Sequence, residues 1–329
     1  IMFTTTMISG TLMAISSNSW ISMWMGLEIN LLSIIPLMSN MKNKMESEAA
    51  MKYFITQAMA STIFLLAIII MLSNNDTLMT SKLSPITMDL AILTKMGAAP
   101  FHFWFPEVME GLSWLNSMIM LTWQKIAPMV IFMYTIKPLM FTVTIIVASM
   151  MISGLMGINQ TSMRKILTFS SINHIGWMIA AMMTNQTIWL IYFLIYTATT
   201  INMTMMFKLM NISFIQQLVN SMNQSKMIKI MFSLNFLSLG GIPPFIGFFP
   251  KWITINSLIQ EQMYMLTLTM IILTLMTLVF YMRMTFTSGI MTASETNIKM
   301  FNAKTNNLII SNFIVLSTLS ACPLLINFI

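Results

Sequence analysis

Four ionisable side chains stand inside long apolar runs, where a charge is costly. Glu28 lies in NSWISMWMGLEINLLSIIPL, Lys95 in KMGAAPFHFWFPEVMEG, Lys125 in TWQKIAP and Lys251 in LSLGGIPPFIGFFPKW. Each ionised group at mid-span costs roughly 2.5–3.5 kcal/mol, so four burden the chain by about 12 kcal/mol before any pairing. Two readings answer that cost. In the structural one, Glu28 and a lysine form a buried pair that holds helices together, or the lysines extend their heads to an interface. Three lysines exceed one carboxylate, and groups near the middle lie beyond that reach. In the chemical one, the residues pass protons. Low dielectric disfavours a charged amine and a nearby carboxylate favours it, so moving the partner loads or unloads the proton.

Lys95 and Lys251 adjoin helix-breaking residues, where freed carbonyls and water can accompany a charge. Lys125, just before Pro128, is placed to link those two sites. His102 and His174, the second within SSINHIGW, read equally as hydrogen-bonded packing residues or as proton carriers. Two histidines without suitably spaced Cys, Asp or Glu make no metal site. Glu107 and Glu110 read as solvated charges in a tight turn before Trp114, with access-channel acids as the weaker alternative. Trp20, Trp24, Trp104, Trp114 and Trp189 fall mostly near expected span ends and are assigned to interfacial anchoring. No GxGxxG, GxxxxGK[ST] or HExxH occurs, which excludes the common nucleotide and zinc motifs. Cys322 is the single cysteine and cannot supply an iron-sulfur cluster, which takes four ligands.

The elements that must position these groups follow from composition. The 329 residues are 57% hydrophobic and 8% charged, with mean hydropathy +0.80. Soluble chains carry roughly 25% charged residues, so this is an all-α polytopic membrane protein, and a large water-facing domain is excluded. Apolar runs mark about eleven transmembrane helices near 3–19, 21–40, 53–73, 86–106, 114–134, 139–157, 166–184, 188–207, 227–258, 263–283 and 307–328. Alternating sides, Lys42, Lys44, Lys52, Arg164, Lys165, Lys208, Lys226, Lys229, Arg283, Lys299 and Lys304 collect on one face, against Lys82 and Lys137 on the other. The N-terminus is thereby expected on the synthesis side and the C-terminus across the membrane. Net charge +7 follows from this asymmetry and does not imply nucleic acid. No signal or transit peptide is recognisable at the N-terminus. Forty-two methionines, with Ile1 first, fit an organellar code that reads ATA as Met; otherwise the methionines read as core filling.

Two spans are interrupted, the fourth by Gly97 and Pro100, the ninth by Gly240, Gly241, Pro243 and Pro244. The ninth, at about 48 Å if straight, overshoots a core of roughly 30 Å and must tilt or break. PFHFWFPE from Pro100 and PFIGFFPK from Pro244 share Pro, Phe, Phe and Pro at equal spacing. An offset of five spans makes the copies run oppositely, and paired broken helices point to an ion site near the midplane. Residues 1–134 form a first five-helix repeat, 139–283 a second, inverted one, and 284–329 a loop with a C-terminal span.

NSWISMWMGLEINLLSIIPL, KMGAAPFHFWFPEVMEG, TWQKIAP, NQTSMRKILTFSSINHIGW and LSLGGIPPFIGFFPKW together resemble the subunit 2 family of mitochondrial NADH:ubiquinone oxidoreductase, respiratory complex I, in its short animal and insect-like form. The resemblance covers nearly the whole chain and weakens at 73–82, 208–226 and 285–306, read as loops. It implies an antiporter-like fold of two inverted repeats in the mitochondrial inner membrane, with the N-terminus in the matrix and the C-terminus in the intermembrane space. It implies a proton relay of Glu28, Lys95, Lys125 and Lys251, driven by quinone reduction elsewhere in the complex. FMN, iron-sulfur clusters and ubiquinone would belong to other subunits, leaving no cofactor in this chain. Implied partners are the adjacent antiporter-like subunit, small membrane subunits, a lateral helix from another subunit and cardiolipin.

Two other functions stay open on the residues. A free-standing cation/proton antiporter shares the broken helices, although hard cations prefer oxygen ligands and intramembrane carboxylates are few. A structural membrane scaffold would use the buried ions for assembly alone.

Overall fold

The structure, a computed structural model, describes residues 1–40, 43–72, 78–136, 140–222, 226–243 and 245–290. The expected eleventh span, Cys322, Lys42, Lys137, Lys299, Lys304 and Pro244 lie outside the described residues. Regular structure among the described residues is helical, apart from one isolated bridge between Ser162 and Phe214. The all-α membrane character therefore stands. Among the described residues, six helices are long and apolar enough to cross a membrane by themselves: Trp20–Met38, Lys44–Leu72, Met140–Ile158, Met163–Thr184, Gln186–Met210 and Tyr264–Phe286.

The chain divides into two compact units, Ile1–Ser149 and Met150–Ile329. The first unit is built from α1 (Met2–Ser16), α2 (Trp20–Met38), α3 (Lys44–Leu72), α4 (Leu78–Met96), α5 (Trp104–Gly111), α6 (Trp114–Leu121) and α7 (Ile126–Thr135), with a 3₁₀ turn at Trp123–Lys125. Helix α8 (Met140–Ile158) carries the chain across the boundary. Small residues set how closely α1 and α2 approach. A methyl group added at Gly26 would meet the Ala14 backbone nitrogen at 2.6 Å, and one at Gly10 would meet the Asn30 nitrogen at 2.9 Å. Such small-residue contacts let backbones pack without a hydrophobic driving force. Helix α7 packs against α1, α2 and α4, and α3 against α2, α4 and α5.

The second unit contains α9 (Met163–Thr184), α10 (Gln186–Met210), α11 (Ile215–Met222), α12 (Lys226–Gly240), α13 (Phe248–Gln260) and α14 (Tyr264–Ile290). Helix α9 is its centre, buried along Ile166–Met182 and packed against α10, α13 and α14. Asn211, at φ 52°, ends α10, and backbone bonds from Met163 to Ser213 (2.9 Å) and from Ile215 to Thr161 (3.2 Å) tie the next turn to the start of α9. Serine and threonine hydroxyls within these helices return to their own backbone, as Ser170 does to Leu167 at 2.7 Å, which removes an unmet donor from an apolar setting.

The structure corrects several expectations. The fifth span is not continuous: α6 stops at Leu121 and α7 starts at Ile126. Pro128 explains it, because a proline ring clashes with the carbonyl four residues earlier, here that of Gln124, and offers no N–H to it. Glu107 and Glu110 belong to α5 and not to a tight turn. The stretch 208–226, expected as a loop, holds α11. Helix α4 begins at Leu78 and α14 continues to Ile290, both inside stretches also expected as loops.

Candidate functional site

Among their described residues, the two glycine-proline interruptions share several backbone features at a constant offset of 144 residues. Gly97 and Gly241 take φ 74° and 73°, left-handed values that glycine adopts without strain. The next amide reaches back five residues in each, from Ala98 to Leu93 at 3.1 Å and from Ile242 to Leu237 at 3.3 Å. This is the Schellman ending of a helix. Amides of Phe105 and Phe249 then bond the carbonyls of His102 and Ile246, and the chain re-enters helix at Trp104 and Phe248. The two breaks therefore share a helix ending and a helix restart at equal spacing. The Ala99–Pro100 peptide is cis.

Each break holds a lysine at a helix C-terminus, where the last carbonyls lack amide partners and the dipole favours a cation. Lys251 is 6% exposed, and its Nζ donates to the Gly240 carbonyl at 2.8 Å. Lys95, 8% exposed, stands in the last turn of α4. There the Trp104 indole donates to the Thr94 carbonyl at 3.1 Å, stitching the break closed. Trp104, half-buried, therefore braces the break, and Trp114 and Trp189 are buried.

Lys95 borders a small polar cavity with Asn30, Tyr53, Gln57, Gln124 and Pro128. Its volume open to water centres is about 20 Å³, room for one molecule. The Gln57 side chain is buried, and its Nε2 has no hydrogen-bond partner. Glu28, on the neighbouring turn of α2, has a buried and unpartnered Oε1, and its charge acts on Lys95 from beyond direct ion-pair distance. The unit thus holds a carboxylate and an amine that interact without touching.

The third interruption brings Lys125 into the same unit. Asn30 and Gln124 exchange two side-chain bonds, 2.9 Å and 3.1 Å long, which tie α2 to the turn that carries Lys125. Lys125 is 2% exposed with its Nζ 5.7 Å from the centre of the Phe105 ring. Glu28, Lys95 and Lys125 therefore share the first unit, and Lys251 occupies the second. His102 is buried within the first break, with Nδ1 3.2 Å from the Pro100 carbonyl. His174 is in α9, with Nδ1 2.9 Å from the Tyr192 hydroxyl.

At one end of the first unit, Lys52 bridges Glu48 and Glu107, both at 3.0 Å. These side chains are about half exposed, and a cavity of about 270 Å³ opens beside them and Glu110. Among the described residues no three His, Cys, Asp or Glu side chains gather as a metal site would require.

Residues 17–277 match the family described as NADH:quinone oxidoreductase/Mrp antiporter, transmembrane. The chain belongs to this family. NADH-ubiquinone oxidoreductase chain 2 of Anopheles gambiae is 46% identical over 327 residues, which cover 98% of this chain and 92% of the relative. Chain 2 of Locusta migratoria is 44% identical, covering 94% and 91%. Among solved structures, respiratory complex I from Thermus thermophilus superposes with a TM-score of 0.84 at 20% identity, covering 96% of this chain and 77% of that one. The Mrp complex from Dietzia gives 0.78 at 14% identity, covering 98% and 75%. At those identities the two structures speak for the antiporter-like fold alone.

Within this chain of the NADH:quinone oxidoreductase/Mrp antiporter family, sequence reasoning isolated the charged residues but missed the amides around them. Gln124 stood in plain view in TWQKIAP, and Pro128 was the signal for the turn that presents it. Nothing local marked Asn30 as its partner, since they lie 94 residues apart.

Proposed function

We propose that this chain is a proton-translocating membrane-arm subunit of NADH:ubiquinone oxidoreductase, a multi-pass protein of the mitochondrial inner membrane. Its near full-length identity to NADH-ubiquinone oxidoreductase chain 2 of several insects supports the assignment. The observation that carries the mechanism is the burial of Lys95, Lys125 and Lys251 beside three helix interruptions, with Glu28 near the first. A lysine held by backbone carbonyls and a distant carboxylate can exchange its proton, because neither partner neutralises it permanently.

In this reading Glu28 modulates Lys95, Lys125 is the middle residue of the relay, and Lys251 passes the proton outward, with His102 and His174 as further carriers. In the same reading the sequence comprises two inverted five-helix repeats, 1–134 and 139–283, followed by 284–329 with an eleventh span. The matching break conformations support the duplication. The excess of lysine and arginine on one set of expected loops supports an N-terminus in the matrix and a C-terminus in the intermembrane space. FMN, iron-sulfur clusters and ubiquinone would reside in other subunits of the complex, whose chemistry reaches this chain through the membrane arm. Adjacent antiporter-like and small membrane subunits, a lateral helix and cardiolipin are its proposed neighbours.

Lys95→Met and Lys251→Met in the assembled complex test the reading. Intact assembly with proton pumping lost supports the relay. Loss of assembly by both variants would instead make the buried ions a scaffold, and wild-type pumping by both would remove the lysines from the path.

A further inference from the structure

We infer that Gln57 positions a single water molecule against Lys95, in a site built from α2, α3, α4 and the turn that carries Lys125. The inference deepens the proton-translocating reading, on which it rests, by adding a residue that acts on Lys95 without itself titrating.

The two break lysines are served differently. Lys251 has the Gly240 carbonyl at 2.8 Å, whereas among the described residues no hydrogen bond or ion pair reaches the Lys95 ammonium. A buried ammonium without an acceptor is costly, so the charged form of Lys95 needs a partner. The cavity of about 20 Å³ that Lys95 borders has room for one water. Its other polar lining is Asn30, Tyr53, Gln57 and Gln124, each at most 8% exposed.

Counting hydrogen-bonding capacity shows what the site lacks. Gln57 Nε2 is buried without a partner, and an amide nitrogen can only donate. Asn30 Oδ1 accepts from Gln124 Nε2 at 3.1 Å, and Gln124 Oε1 accepts from Asn30 Nδ2 at 2.9 Å. An amide oxygen has two lone pairs, so each keeps one to offer. One water matches this remainder. Its oxygen accepts from Gln57 and from Lys95, and its two protons go to the amide oxygens of Asn30 and Gln124.

A metal cation suits the cavity poorly, because no carboxylate lines it and the ion would stand beside an ammonium. Packing alone does not explain Gln57 either. Methionine would fill nearly the same volume with no amide to satisfy, whereas a buried amide must find a partner.

The water serves both states of the lysine. It accepts from the ammonium, and when the amine is neutral it turns and donates to the nitrogen lone pair. Gln57 holds it in place through the change, while the Asn30–Gln124 pair joins it to the turn of Lys125.

The experiment compares Gln57→Met, Gln57→Asn and Lys95→Met in the assembled complex in sealed membranes, reading protons moved per NADH oxidised, oxidation rate and assembly. It adds a density map of the wild-type complex that resolves solvent. The expected result is a solvent peak within hydrogen-bond distance of both Gln57 and Lys95, with Gln57→Met assembled and losing at least half of the proton yield that Lys95→Met loses. Gln57→Asn keeps the amide and should lose less. A wild-type map without that peak overturns the site and leaves the wider reading standing. Wild-type yield in Gln57→Met with Lys95→Met impaired does the same, as does a loss in Gln57→Asn as large as that in Gln57→Met. Wild-type yield in all three variants overturns both readings. Should Gln57→Met fail to assemble, the solvent peak decides by its presence or absence.

Discussion

Lys251 and Gly240 meet across the second break, ammonium to carbonyl at 2.8 Å, although eleven residues separate them in sequence. Gly241 makes the meeting feasible. A methyl group added there would lie 2.8 Å from Lys251 Nζ and 2.9 Å from its Cδ, on a backbone at φ 73°. Gly241→Ala is therefore expected to displace Lys251 and to add about 1–2 kcal/mol of backbone strain. Gly240→Ala is the control, since its methyl would meet only Tyr281 Cδ2 at 3.6 Å. Proton pumping at matched assembly checks the pair: the first variant should lose it and the second should keep it.

The Asn30–Gln124 amide pair predicts a measurable coupling. Gln124→Leu or Asn30→Leu alone leaves one buried amide unmet, at a cost of about 1–3 kcal/mol. The double variant should cost less than the sum, with a coupling of about 0.6–2 kcal/mol, as for interhelical bonds in membranes. Thermal stability of the assembled complex, read as a double-mutant cycle, checks this. Strict additivity would mean that the pair is not energetically joined.

Gly26 is expected to tolerate no side chain. Its Cβ position is already 2.6–2.9 Å from the backbone and methyl of Ala14, and these contacts cannot swing aside. Gly26→Leu should separate α1 from α2 and carry Glu28 and Asn30 with it, abolishing assembly in a native-gel assay. Gly240→Ala, whose methyl would meet only Tyr281 Cδ2 at 3.6 Å, should assemble.

Pro128→Ala restores an amide opposite the Gln124 carbonyl. Helix α7 is expected to grow backward through that bond and to draw Lys125 away from the Phe105 ring. Slow hydrogen exchange at the new amide, together with reduced pumping, would be the signature. Rapid exchange would mean that tertiary contacts hold the turn without the proline.

The sequence was most informative where it broke its own rules. Charges inside apolar runs disclosed Glu28, Lys95, Lys125 and Lys251, and glycine with proline disclosed two of the three interruptions. Uncharged polar groups gave no comparable signal, because an amide or phenol in a helix costs little until a fold decides whether it is bonded. Gln57 and Gln124 were passed over for that reason. Other misses were local. Glu107 and Glu110 read as charges in a turn, yet they lie in the short helix α5, whose first turn accommodates Pro106. In α11, Ile215, Leu218, Val219 and Met222 recur at helical spacing, a pattern that low resemblance to the family obscured. The tryptophans near span ends were assigned to lipid, whereas Trp104 closes a break.

A cation resting on a peptide oxygen is held differently from one locked to a carboxylate. If the ammonium of Lys251 gives up its proton, no orphaned anion stays behind in the oil, only a carbonyl short of one donor. The empty and loaded forms then differ by a single elementary charge against a fixed, neutral frame. Lodging of this kind lets the side chain discharge without dragging a counter-ion along.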